Sequence, residues 1–158
     1  MNKNIFILTI AMLLLFFAFG FTAQLTNNEG IDTTETKETS QTSEIVLAYY
    51  FHGDVRCATC RRLESYSYLA IETGFKEKID DSTLIWKSVN YDEKANKHFI
   101  DDYKLYTKAV ILSRVKDGKE TEWKNLDKIW NLVGNKDRFM DYVKSETQNF
   151  LDSENKNE

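Results

Sequence analysis

"IVLAYYFHGDVRCATCRR", Ile45 to Arg62, decides how this chain is read. Its first seven residues are apolar without interruption and rich in β-branched and aromatic side chains. A strand with one wet face alternates polar and apolar residues; an unbroken run suits a strand covered on both faces, as in a parallel sheet. A short loop follows, and then a helical stretch begins near Cys57. Within it Leu63, Tyr66 and Ala70 recur at helical spacing until Gly74 interrupts. A Cys-x-x-Cys pair therefore stands where a helix begins, just after a buried strand.

Working outward, "TLIWKSVN" (Thr83 to Asn90) reads as a second strand. Asp92 is placed to cap a helix whose inner face carries Ala95, Phe99 and Tyr103. "AVILSRV" and "ETEW" flank Lys116-Asp117-Gly118-Lys119, and Asp-Gly suits the tight turn of a β-hairpin. Leu126, Ile129, Trp130 and Val133 then follow helical spacing up to Gly134. A last helix from about Lys136 turns Phe139, Val143 and Phe150 inward. The expected order is strand, helix, strand, helix, hairpin, helix: an α/β domain with a mixed central sheet flanked by helices.

Residues 1–23 have the shape of a secretory signal, with Lys3 ahead of an apolar run over residues 5–21. The run is also close to the length that spans a bilayer, so an uncleaved membrane anchor is the competing reading. Either way the expected location is extracytoplasmic: periplasmic, or held at the membrane by residues 5–21. Residues 24–44 are rich in Thr, Ser and Glu and read as a flexible acidic linker. Residues 45–152 form the domain, and 153–158 a polar tail. The chain carries a net charge of −4, nearly all of it in the linker, and residues 45–158 retain only −1. A nearly neutral domain argues against a nucleic-acid partner.

Four chemistries compete for the cysteine pair. A structural staple closing so small a loop stabilises little by chain entropy. A redox dithiol uses the helix N-terminus and the charges of Arg56, Arg61 and Arg62 to favour a thiolate at Cys57. Cys60, one turn on and on the buried side, would then resolve a mixed disulfide formed at Cys57. A soft-metal or metalloid site for Cu(I) or As(III) would add His52 to Cys57 and Cys60. The fourth is a binding or scaffolding domain whose cysteines are idle. Zinc would need a second ligand pair, and the sequence supplies none. His98 has no evident role.

The element order, with Cys-x-x-Cys at the mouth of the first crossover helix, resembles the thioredoxin fold. That resemblance implies a cis-proline opposite the cysteines, yet the chain has no proline, and Thr107-Lys108 falls at the matching place. A cis bond before a non-proline residue costs roughly 3 kcal/mol, so trans or strained geometry is expected there. Ala58-Thr59 also differs from the Gly-Pro of thioredoxin itself.

Three longer pieces carry a sharper resemblance: "FHGDVRCATCR", "HFIDDYKLYTK" and "EWKNLDKIW". Over residues 45–152 the chain is similar to the small thioredoxin-like subunit assigned to nitrophenyl-compound nitroreductases and found in some arsenic-resistance operons. The resemblance implies that Cys57 and Cys60 are a redox or metalloid-handling pair; beside it, the residues themselves suggest Arg56 as support for the thiolate, His52 as a proton shuttle or loop-shaping residue, and Thr107 and Lys108 as the opposite wall. It further implies no firmly bound cofactor in this chain. Flavin or iron–sulfur chemistry would belong to partner subunits of a membrane-associated assembly that reduces nitroaromatic compounds.

Overall fold

In the computed structural model the described residues are 44–153. The expected signal or anchor, nearly all of the linker and most of the tail lie outside them. No helix among the described residues is long and apolar enough to cross a membrane.

Strand β1 (Glu44–His52) is the hub of a four-stranded mixed sheet. After it come α1 (Ala58–Gly74) and the short α2 (Lys76–Asp80), which lead into β2 (Leu84–Asn90). A 3-10 turn (Lys94–Asn96) and the short helix α3 (His98–Asp102) precede β3 (Ala109–Lys116). Strand β4 (Lys119–Asn125), α4 (Ile129–Leu132) and α5 (Lys136–Asp152) complete the chain order. The strands lie in the order β2-β1-β3-β4. β1 runs parallel to β2 and antiparallel to β3, and β4 is antiparallel to β3.

The unbroken apolar run of β1 is explained by what covers it. Val46, Ala48 and Tyr50 face a core shared with Leu63, Ala70 and Ile71 of α1 and Phe139, Val143 and Phe150 of α5. Leu47, Tyr49 and Phe51 face a second, aromatic core with Phe99, Tyr103 and Leu105. Helices thus flank both faces of the sheet, and alternate residues of one strand serve both. In α1 the buried line is Cys60, Leu63, Ser67, Ala70 and Ile71, while Tyr66 lies at its margin, its ring edge-on to Phe139. Ser67 tolerates burial because its hydroxyl donates to the Leu63 carbonyl (2.7 Å).

Three expectations need correction. Asp92 does not cap a helix: its carboxylate accepts from the Asp54 backbone N–H (2.8 Å). With that acceptor engaged, the segment forms only the 3-10 turn and α3, and Ala95 is exposed while Phe99 and Tyr103 still pack inward. Leu126 belongs to no helix. It is buried, and its N–H donates to Val110 (2.9 Å), so α4 spans only Ile129–Leu132. Helix α4 ends at Leu132 with Val133 still right-handed, so Gly134 supplies no left-handed stop. The hairpin turn needs such a conformation, and Asp117 and Gly118 have φ of 51° and 76°.

Candidate functional site

The C-terminal end of β1 and the start of α1 meet at the cysteines. Cys57 is the N-cap of α1, with extended backbone, and its Sγ accepts from the Cys60 N–H (3.1 Å). A sulfur thus occupies the position where a hydroxyl or carboxylate ordinarily satisfies an unpaired N–H of the first turn. The two cysteines form a disulfide, with Cα atoms 5.0 Å apart. Cys57 is exposed, whereas Cys60 is only 3% exposed. One sulfur can be reached from outside and the other is approached through it.

Beneath the disulfide, the hydroxyl of the fully buried Tyr50 donates to the Cys60 carbonyl (2.7 Å). Burial pushes the Tyr50 phenol up to about 12, with nearby Arg56 opposing the rise and Tyr91 adding to it. Arg56 forms an ion pair with Glu64 and lies near the Tyr50 ring (6.0 Å). A second nitrogen of Arg56 lies 3.1 Å from Nε2 of His52, whose Nδ1 lies 2.9 Å from the Gly53 carbonyl. A carbonyl and a guanidinium dictate opposite roles for the two ring nitrogens. Nδ1 carries the proton and donates to Gly53, and Nε2 accepts from Arg56. Both ring nitrogens of His52 are therefore engaged within the protein.

The loop between β1 and α1 is tied to the end of β2. The His52 carbonyl accepts from the Tyr91 N–H (2.8 Å), and Asn90 donates to the Asp54 carboxylate (2.7 Å). A Cβ on Gly53 would come within 2.5 Å of the Asp92 carboxylate and 3.0 Å of the Tyr91 ring, so a larger residue there would push those side chains aside. Arg61 and Arg62 are exposed on the first turns of α1, and Arg62 reaches the Thr59 hydroxyl (3.3 Å).

Of the residues singled out from the sequence, the structure brings Arg56 and His52 into hydrogen-bond contact with each other beside the disulfide. Thr107 and Lys108 sit at the same end of the sheet, because Phe51 pairs with Ala109. They line a cleft of about 180 Å³ with Asp127 and Trp130, and neither cysteine is part of its wall. The Trp130 indole donates to the Lys108 carbonyl (2.9 Å), and the Thr107–Lys108 peptide is trans. Glu64, Ser88 and Tyr50 had not been singled out. Glu64 stands four residues after Cys60 and so shares its helix face, but Ser88 comes from another strand and has no local signal. His98 is an exposed partner of Asp102 (2.7 Å). No cluster of three or more His, Cys, Asp or Glu side chains suited to a metal ion occurs among the described residues.

No family model matches the chain, and no curated protein matches it. A solved structure described as "Structure of a malarial protein" is 16% identical, with a TM-score of 0.34, covering 51% of this chain and 80% of that one. The likeness is too slight to assign a fold or a function.

Proposed function

We propose that this chain is a thioredoxin-like thiol–disulfide oxidoreductase or electron-relay subunit, exported or tethered at the membrane. The observation that carries the reading is the asymmetric disulfide at the N-terminus of α1, with Cys57 exposed and Cys60 buried. That asymmetry suits stepwise exchange. A partner thiolate attacks Cys57 Sγ, the Cys57–Cys60 bond breaks, and Cys60 leaves as a thiolate that takes up a proton. The second thiol of the partner then attacks its own mixed-disulfide sulfur and releases Cys57. Two electrons and two protons have passed to this chain, and the partner leaves as a disulfide. The steps run backwards when the reduced protein meets a disulfide.

The strand order and the place of the cysteines support a thioredoxin-like reading of the fold. The implied partner is a redox protein or the remaining subunits of a nitroaromatic reductase, which would hold any flavin or iron–sulfur centre. Trapping tests this directly. Cys60→Ser in the full chain is expected to accumulate mixed disulfides at Cys57 that mass spectrometry maps and excess dithiothreitol releases. Absence of any adduct at Cys57, in a chain whose wild type does not cycle between dithiol and disulfide, would falsify the reading.

A further inference from the structure

Polar groups from three elements converge beside the disulfide. Arg56 stands one residue before Cys57, and Glu64 one helical turn beyond Cys60 on the same face of α1. Their side chains are 24% and 27% exposed and form an ion pair. The other carboxylate oxygen of Glu64 accepts from the Ser88 hydroxyl of β2 (2.7 Å), and His52 holds the guanidinium from β1 (3.1 Å). Meanwhile Nε of Arg56 is buried without a partner. Ion pairs largely withdrawn from water are weak stability devices, because desolvation offsets their attraction. What distinguishes this pair is that its two residues flank the disulfide-bonded cysteines along the chain.

The geometry points to Glu64 as a positioning residue that sets how readily the Cys57–Cys60 disulfide is reduced, by anchoring and partly neutralising the Arg56 guanidinium. The inference rests on the thiol–disulfide reading above. Reduction by a dithiol breaks the S–S bond with two electrons and two protons, and the dithiol becomes a disulfide. The reduced form gains stability when Cys57 ionises, and a nearby positive charge favours that thiolate. Arg56 supplies the charge, and the Glu64 carboxylate opposes it. Of the other titratable groups, His52 and Tyr50 of β1 meet Arg56 directly, Tyr91 acts on Tyr50, and the exposed Arg61 follows Cys60 in the helix. Asp54 and Asp92 are held in the loop by Asn90 and the Asp54 N–H.

The test measures the full chain equilibrated in glutathione buffers and the thiolate ultraviolet absorbance of the reduced form across pH. Glu64→Gln leaves Arg56 uncompensated, and the reduced form is expected to gain about tenfold, or about 30 mV for a two-electron couple. Its thiolate midpoint falls. Arg56→Gln moves both readouts the other way, and the double variant lies between the single ones. Ser88→Ala, which keeps both charges but loosens the carboxylate, shifts less than Glu64→Gln. A folded Glu64→Gln protein with the wild-type midpoint and equilibrium would overturn the inference and leave the thiol–disulfide reading intact. A wild type that cannot be reduced and re-oxidised in glutathione would sink both.

Discussion

Two arginines mark opposite ends of the central strand pair, and each is paired with glutamate, yet their surroundings differ. Near the N-terminal end of β1, Arg114 is buried and enclosed: Glu44, Glu122 (3.5 Å), the Phe150 carbonyl and Ser153 (3.0 Å) all accept from it. Its guanidinium also lies over the Phe150 ring (4.9 Å). These contacts bind the last turn of α5 to one end of the sheet. At the other end, Arg56 has fewer partners, more exposure and a disulfide one residue away. The same side-chain type closes the fold in one place and leaves charge beside a disulfide in the other. Saturation of the guanidinium, rather than burial alone, separates the two.

Breaking each end should expose that difference. Arg114→Met removes a buried guanidinium that bonds Glu44, Glu122, the Phe150 carbonyl and Ser153 together, and a loss of about 3 kcal/mol is expected in urea denaturation. Arg56→Gln should cost less in the same measurement, because the Glu64 carboxylate keeps the Ser88 hydroxyl and partial access to water. Equal losses would erase the distinction between the arginine that holds the last helix and the one beside the disulfide.

A smaller effect is expected where the loop carrying the disulfide is pinned. Gly53→Ala forces a methyl against the Asp92 carboxylate and the Tyr91 ring, and about 2 kcal/mol should be lost as the loop shifts. Amide exchange at Asp54 reports it, since that N–H loses its acceptor. Unchanged protection at Asp54 would mean the loop is held some other way.

The smallest change sharpens the picture beneath the cysteines. Tyr50→Phe removes the hydrogen bond to the Cys60 carbonyl at a cost of about 1 kcal/mol at neutral pH. Its pH signature is more telling. The folded phenol ionises near 12 while the unfolded one ionises near 10, so the unfolded state loses its proton first. The stabilising contribution is complete below pH 10 and disappears as pH rises towards 12. Between those values the wild type should weaken more steeply than Tyr50→Phe. Parallel slopes would show that Tyr50 is not the group protected by burial.

Much of the fold was legible locally. IVLAYYF declared a strand covered on both faces because its residues alternate between two cores, and both cores exist. Asp117-Gly118 announced the hairpin through its backbone requirement, which the positive φ values meet. Asp92 misled because its capping signal is short-range, whereas its acceptor was taken by Asp54, distant in sequence. Leu126 likewise fitted a helical period but answers to Val110 on β3. Periodicity reports which residues are buried more reliably than which hydrogen bonds they make.

By itself, then, the amino-acid order determined the elements, the buried strand and the cysteine pair at a helix start, because these follow from side-chain period and backbone preference. The tertiary structure confirmed Cys60 on the buried side and left Cys57 open. It alone set Arg56 against Glu64 and Ser88 and engaged both nitrogens of His52, because those contacts join strand, loop and helix, and only packing brings them within reach of one another.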